Sequence, residues 1–286
     1  MPWSVLRRFG VKRGAFLPPS SYDPPPDASS TRRAAPTPLG ALLRRRDPDR
    51  FFTALFAPPA RREALFALYA FDGELAHARI ATHDPTIALI RLAWWREVVE
   101  GAAQVHEVAT PLAAALAAGL LDRAHLLDVI AAREAEATDA APTFDAWRAS
   151  LLGGAGGIMV AAGHLLGTPD PEALRPLGAA CGVAALRRAL ARGGGAFLPA
   201  ELSKARSPTP NGGMSPEGAP SKAGDLLARE GLRWLATART GRLPRATIAA
   251  ALPAVLARRD LRRVQPHTGG LGGQLAVMRA VVLGRV

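Results

Sequence analysis

Apolar residues recur every three to four positions along most of this chain, the spacing of a buried face on an α-helix. The first such run follows Asp47 and Asp49, either of which can cap a helix, and the Pro58–Pro59 pair ends it. Its large apolar residues are Phe51, Phe52, Leu55 and Phe56. The same spacing predicts further helices over residues 65–80, 86–100, 111–117, 123–137, 143–166, 171–191, 225–240, 244–258 and 272–283.

Composition supports the helical prediction. Ala and Leu run through most of the 286 residues, whereas Val, Ile, Tyr and Phe are sparse, and this balance favours helix over sheet. Hydrophobic residues make up 49% of the chain, enough for a large core. We therefore expect an all-α protein without a β-sheet.

Two segments interrupt the helical pattern. Residues 1–38 include LPPSSYDPPPDASSTRRAAPTP, which cannot form a core and predicts a disordered, basic and proline-rich arm. Residues 203–222, approximately, form a Ser/Pro/Gly-rich stretch that we expect to be a mobile loop within a helical domain spanning residues 39–286. The first residues, MPWSVLRRFGVKRGAF, lack the apolar core of a secretory signal, although they weakly resemble an organellar transit peptide.

The segment LLGGAGGIMVAAGHLLG, residues 151–167, is the strongest candidate for a membrane span. It is short for that purpose and rich in glycine, so it is better interpreted as a buried helix whose small residues admit close neighbours. The protein is expected in the cytoplasm, with peripheral contact at the inner membrane as a further expectation.

The net charge of +12 comes almost wholly from arginine. One interpretation is the amino-acid bias of a GC-rich genome; the other is attraction to anionic lipid, nucleic acid or a diphosphate. Because the charge is scattered and no aromatic residues interleave with it, nucleic acid is not expected as a partner. Cys181 is the only cysteine, which excludes a disulfide framework, and the six histidines lack metal-ligand spacing, so no structural metal is expected.

An ordered set of sequence landmarks carries a family resemblance. DPDRFFTALFAPPARREALFALYAF, IRLAWWREVVEG, LLDVIAAREAEA, LGAACGVAALRRAL followed by FLPAEL, and LPRATIAAALPAVLARRDLRRVQ occur in that order over roughly residues 40–285. Together they resemble the squalene/phytoene synthase family. The resemblance implies the isoprenoid synthase fold, in which helices surround a central, largely apolar cavity.

Active members of that family carry two aspartate-rich motifs that face each other across the cavity. Their carboxylates bind magnesium, which neutralises the pyrophosphate leaving an allylic diphosphate. Aligned on YAF, the two aspartates of the first motif fall on Ala76 and Ile80, with His77 between them. Asp72 and Glu74 lie two residues apart, on different helix faces, and cannot form the clamp together.

The second motif should precede FLP, where this chain has RALARGGGAF instead. No Asp or Glu occurs from Ala173 to Ala200, so these metal ligands are absent as well. Arg187, Arg188 and Arg192 suggest two interpretations: a metal-free clamp for a diphosphate, or a solvated helix end favoured by the helix dipole.

The resemblance also implies a set of cavity and ligand positions. Trp95 is either a core anchor or part of an aromatic lining, and we expect an elongated apolar pocket that opens near Arg187. The candidate positions are Tyr69, Asp72, Gly73, Ala76, His77, Ile80, Trp95, Leu186, Arg187, Arg188 and Phe197.

Three classes of function stay open on the sequence. Because both motifs are absent, the chain resembles the non-catalytic branch of the family, which includes a mitochondrial assembly factor for respiratory complex I. This resemblance implies an accessory protein with an isoprenoid- or lipid-holding cavity. It also implies a respiratory-complex subunit as partner. The second class is a divergent prenyl transferase, and only in that case is magnesium expected as a cofactor. The third is a basic binding module for an anionic membrane or nucleic acid, although the scattered charge does not favour it.

Overall fold

The computed structural model describes residues 37–80, 84–138, 142–192, 197–204, 222–238, 241–263 and 270–286. The predicted arm over residues 1–38 and the predicted loop over residues 203–222 fall almost entirely outside these ranges. Both remain predictions.

The described residues form thirteen α-helices and no strand, so the prediction of an all-α fold is confirmed for them. Two helices, α1 and α10, were not predicted. The helices are α1 (Pro38–Arg46), α2 (Pro48–Ala54), α3 (Pro59–Ile80), α4 (Pro85–Glu100), α5 (Ala109–Ala117), α6 (Arg123–Thr138), α7 (Phe144–Leu151), α8 (Gly157–Leu166), α9 (Arg175–Ala191), α10 (Ala200–Lys204), α11 (Lys222–Thr237), α12 (Leu252–Arg262) and α13 (Leu271–Leu283).

Helix boundaries follow from capping side chains. Of the two candidates ahead of α2, Asp47 is the cap, since its carboxylate accepts a hydrogen bond from the Arg50 amide at 2.9 Å. Asp84 caps α4 by accepting from the Thr86 amide at 2.8 Å. Gly101 ends α4 with φ of +119°, a left-handed conformation that glycine adopts without strain.

The predicted helix over residues 143–166 is continuous but changes its winding. A π-helical turn, Leu152–Gly156, joins α7 to α8. Phe144–Leu166 is long and apolar enough to cross a membrane, yet 72% of its most apolar window is buried inside the protein, which is typical of a core helix. The prediction of a buried helix over residues 151–167 is therefore confirmed.

Glycines and alanines let α9 approach the π turn closely. A Cβ atom on Gly178 would lie only 2.4 Å from the Ala155 carbonyl oxygen and 2.8 Å from the Gly156 Cα atom. Around this contact, α2, α3, α6, α7, α9 and α12 leave a cavity between them. The packing of these described helices thus forms a central cavity.

Candidate functional site

The central cavity encloses about 200 Å³ and has two chemically different parts. One part carries both signs of charge and comes from the start of α2 together with α3, α6 and α9. The other part is apolar and comes from α7, α9, α12 and the segment before α10. The polar lining residues are Asp47, Asp49, Arg50, Asp72, Arg133, Glu136 and Arg188, and the larger apolar ones are Leu151, Leu186, Phe197, Pro253 and Leu256.

A chain of ion pairs crosses the polar part. Asp72, on α3, is 4% exposed and lies between two guanidinium groups. Arg50 Nη1 donates to Asp72 Oδ2 at 2.6 Å, and Arg133 Nη2 donates to Asp72 Oδ1 at 2.8 Å. Arg133 Nη1 also donates to both Glu136 oxygens, at 3.0 and 3.1 Å. Each oxygen of the Asp72 carboxylate therefore accepts a charge-assisted hydrogen bond.

The two arginines decide the protonation state of Asp72. Burial alone would raise the pKa of its carboxyl group, but the positive charges of Arg50 and Arg133 outweigh that effect and lower the pKa to about 2. Burial lowers the pKa of Arg50 and Arg133, but their acidic partners raise it by a larger amount. The pKa of both guanidinium groups is therefore above its usual value. Arg50, Asp72 and Arg133 are therefore all charged at neutral pH.

Tyr69 packs against Arg50 of this network. The Arg50 Cζ atom lies 5.1 Å from the centroid of the Tyr69 ring, a cation–π contact. Burial raises the pKa of the Tyr69 hydroxyl, so the phenol stays neutral. Its oxygen and the Arg133 Nε atom are buried without a hydrogen-bond partner among the described residues. Two polar atoms next to the network thus have unused hydrogen-bonding capacity.

These residues do not fit a magnesium–diphosphate site. Ala76 lines the cavity at the first motif position, while the side chain of Ile80 lies outside the described residues. Magnesium requires several oxygen ligands at once, but both Asp72 oxygens already accept from guanidinium groups, and Arg133 holds Glu136. Within the described ranges, no three His, Cys, Asp or Glu side chains are grouped so that they could share a metal ion.

The structure corrects the prediction that Arg187 clamps a phosphate at an open pocket mouth. Arg187 is 5% exposed, and its guanidinium donates to the carbonyl oxygens of Gly224 at 3.1 Å, Asp260 at 2.6 Å and Arg263 at 2.7 Å. It therefore binds α9 to α11 and to the end of α12. Arg188, one residue later, does line the cavity and pairs with Asp260 at 2.5 Å.

The remaining predicted positions divide between two places. Asp72, Ala76, Leu186, Arg188 and Phe197 meet at the central cavity. His77 and Trp95 instead line a separate surface depression between α3 and α4, and Trp95 packs edge-on against Phe71, as a core anchor does. Gly73 is exposed, with open space where a side chain would lie, so the implied cavity position is wrong for Gly73 and His77.

Sequence reasoning missed Asp47, Asp49, Arg50, Arg133 and Glu136 as cavity residues. A signal existed for two of them, because Arg133 and Glu136 are spaced i, i+3 on one face of α6. For the others, only the packing of α2 against α3 brings the residues to the cavity.

Buried hydrogen bonds fix the segment that carries Phe197. Trp147 Nε1 on α7 donates to the Phe197 carbonyl oxygen at 3.0 Å, and the Ala200 amide donates to the Pro142 carbonyl oxygen at 3.0 Å. Trp147 is itself fully buried. The Leu-Pro landmark is thus held against the cavity by a tryptophan from another helix.

Curated relatives match one part of the chain. The complex I assembly factor 6 of Homo sapiens, an NADH dehydrogenase (ubiquinone) assembly factor, is 35% identical over 86 residues, covering 27% of this chain and 26% of that protein. The Bos taurus counterpart is 36% identical over 84 residues. The chain thus spans about a quarter of the length of the curated relatives it matches.

Solved structures match the fold over most of the chain. A dehydrosqualene synthase crystallised with a ligand superposes with a TM-score of 0.60 at 12% identity, covering 84% of this chain and 93% of that one. The squalene synthase of Alicyclobacillus acidocaldarius gives a TM-score of 0.50 at 17% identity, covering 86% and 92%. At these identities the likeness establishes the fold, which is the all-α isoprenoid synthase fold.

The sequence pattern of one family covers most of the described helices. The family model for squalene/phytoene synthase matches residues 43–279, from the end of α1 to the last turns of α13. This range includes every residue of the central cavity. The chain belongs to the squalene/phytoene synthase family.

Proposed function

We propose that this chain is a non-enzymatic assembly or accessory factor of the respiratory complex I type. The observation that carries the proposal is the pairing of Asp72 with Arg50 and Arg133 beside a first motif whose carboxylate positions are Ala76 and Ile80. A prenyl transferase needs magnesium at this place, and the chain supplies guanidinium groups instead.

The arginines are poorly suited to replace the metal ions. Catalysis of this kind needs positive charge that is free to neutralise the leaving pyrophosphate. Arg50 and Arg133 are paired with Asp72, and Arg188 is paired with Asp260. A diphosphate would have to separate these partly buried ion pairs, and breaking one by losing a partner costs about 3–5 kcal/mol. This argues against a divergent prenyl transferase, the second class of function.

The curated relatives support the assembly role. Their name assigns them to the assembly of NADH dehydrogenase complex I, and the match extends over 84–86 residues at 35–36% identity. A subunit of a respiratory complex is accordingly the proposed partner of this chain.

The cavity suggests a ligand of a particular kind. The three arginines of its charged part are paired with acidic side chains, while Leu186, Phe197 and Leu256 form an apolar wall. We expect an uncharged isoprenoid or other lipid chain to bind there in preference to a prenyl phosphate. In a thermal-shift assay, farnesol should raise the melting temperature more than farnesyl diphosphate does, and the reverse order would contradict the preference.

The enzymatic alternative is tested by pyrophosphate release. The full chain is incubated with magnesium and farnesyl or geranylgeranyl diphosphate, beside an active squalene synthase as the positive control. We expect no release above background, also for the Ala76→Asp/Ile80→Asp variant, because the facing motif stays without acids. Turnover of about 1 per second, ordinary for an enzyme, would overturn the non-catalytic proposal.

The assembly role is tested in the source cell. Deleting the gene should reduce the amount of assembled complex I on a native gel, and the wild-type chain should restore it. Undiminished assembled complex I in the deletion strain would contradict the assembly role, whatever the pyrophosphate assay shows.

A further inference from the structure

The last helix, α13, carries an exposed row of apolar side chains. Leu271, Leu275, Met278 and Val282 are between 52% and 79% exposed. Their spacing of four, three and four residues places them along one side of the helix. The opposite side, with Gly273, Val277 and Ala280, is buried, and α13 packs on α12. The helix is therefore apolar on both sides, and no described residue covers the outer one.

Other parts of the chain are poorly suited to cover this row. Residues 205–221 and 264–269 contain Met214 and Val264 as their only large apolar residues. Residues 1–22 do contain apolar residues, but they carry four basic residues and no acidic one.

Arginines border the exposed row. Residues 241–286 contain eight arginines and one acidic residue, Asp260, which is buried and bound to Arg188. The Arg259 guanidinium lies against Gly272 in the first turn of α13, 2.6 Å from where a Cβ atom would be. Arg279 is exposed and lies two helical turns after Gly272, on the same flank. The apolar row is thus flanked by cations.

The positive charge beside the exposed row favours a membrane over a second copy of the chain as its binding partner. A second copy would bring its own arginines against Arg259 and Arg279, and like charges across an interface oppose association. A bilayer with anionic lipids offers the complement of both features: an acyl region for the apolar row and negative headgroups for the arginines.

We propose that the outer face of α13 docks this protein onto the surface of an anionic lipid bilayer. The helix lies in the plane of the membrane, with Leu271, Leu275, Met278 and Val282 at the boundary between headgroups and acyl chains. Thirteen residues give a helix about 20 Å long, suited to lying on a bilayer but too short to cross it. Arg259 and Arg279 reach lipid phosphates from the flank. This inference is independent of the proposed assembly role.

Vesicle co-sedimentation of the full chain tests the proposal. The vesicles contain phosphatidylcholine alone or phosphatidylcholine with about 30% phosphatidylglycerol. The wild type should bind the anionic vesicles at least tenfold more tightly, and raising the salt concentration should weaken that binding. Leu275→Gln/Met278→Gln should reduce it about tenfold or more, and Arg279→Gln about threefold to fivefold.

Ile90→Gln on α4 is the matched control, because Ile90 is 63% exposed and Leu275 is 65% exposed. It should bind anionic vesicles as the wild type does. All three variants alter exposed side chains, so their circular dichroism spectra and melting temperatures should match the wild type.

Two results of the vesicle assay would overturn the proposal. One is Leu275→Gln/Met278→Gln binding anionic vesicles as tightly as the wild type does, because binding would then come from another part of the chain. The other is a wild-type chain that does not bind these vesicles. Light scattering measures the oligomeric state and so tests for a second copy as the partner. If the wild type is a dimer and Leu275→Gln/Met278→Gln is a monomer, the row is a dimer interface and the membrane proposal is overturned.

Discussion

The Asp72→Asn substitution tests whether the ion-pair network of the cavity stabilises the fold or has no effect on its stability. The substitution keeps the size of the side chain but removes its negative charge from between Arg50 and Arg133. Both Asp72 oxygens accept from guanidinium groups, at 2.6 and 2.8 Å, and the residue is 4% exposed. The two cations would then face each other across a neutral amide.

Two estimates give the magnitude. Removing one partner of a buried ion pair costs about 3–5 kcal/mol, and the low end applies because Arg133 keeps Glu136 at 3.0 Å and Arg50 keeps Asp47 at 3.7 Å. Independently, a pKa lowered from 3.8 to about 2 corresponds to roughly 2.5 kcal/mol at neutral pH. We expect a loss of about 2–3 kcal/mol in the free energy of unfolding, or about 5–10 °C in Tm.

Urea unfolding at several pH values is the assay. The pKa of Asp72 is lowered by folding, so its contribution is complete above about pH 4 and is lost as the pH falls through about 2. The difference between wild type and Asp72→Asn should therefore shrink below pH 4. Glu74→Gln, two residues later on α3, is the matched control: Glu74 pairs with the half-exposed Arg46, and its loss should cost under about 1 kcal/mol. An Asp72→Asn variant as stable as Glu74→Gln at pH 7 would refute the reasoning.

Three further predictions test the packing around the cavity. Arg187→Met should lower the free energy of unfolding by about 3 kcal/mol, because two buried hydrogen bonds and one partly buried hydrogen bond from its guanidinium to carbonyl oxygens are lost. Arg192→Met at the exposed end of α9 should change it little, and equal urea midpoints for the two variants would contradict this. Gly178→Ala should lower the free energy of unfolding by about 1–3 kcal/mol or more, because the new methyl group forces α9 away from Ala155. Gly73→Ala, at an open position of α3, should raise it by up to about 1 kcal/mol. Thermal melts in which Gly178→Ala is the more stable variant would show that the close approach of α9 is unimportant. Burial raises the pKa of the Cys181 thiol to about 12, so iodoacetamide at pH 8 should alkylate the folded chain at least about 100-fold more slowly than the chain in urea; comparable rates would mean that the cavity admits water freely.

Local sequence signals determined the positions of the helices. The spacing of apolar residues and the cap at Asp47 depend on neighbours within one or two turns, so they can be read without the fold. The short helices α1 and α10 escaped detection because nine and five residues are too few to establish a period. The replacement of the family aspartates by Ala76 and Ile80 is likewise a property of the sequence.

Only the tertiary structure decided what occupies the site of the lost aspartates. Asp72, Arg50 and Arg133 lie on three helices, the paired positions are 22 and 61 residues apart, and no local pattern relates them. Arg187 and Arg188 are adjacent in sequence, yet the turn of about 100° between them directs one to backbone carbonyls of α11 and α12 and the other to the cavity. A helical period predicts which residues share a face. Which neighbour that face meets depends on the packing of the whole chain.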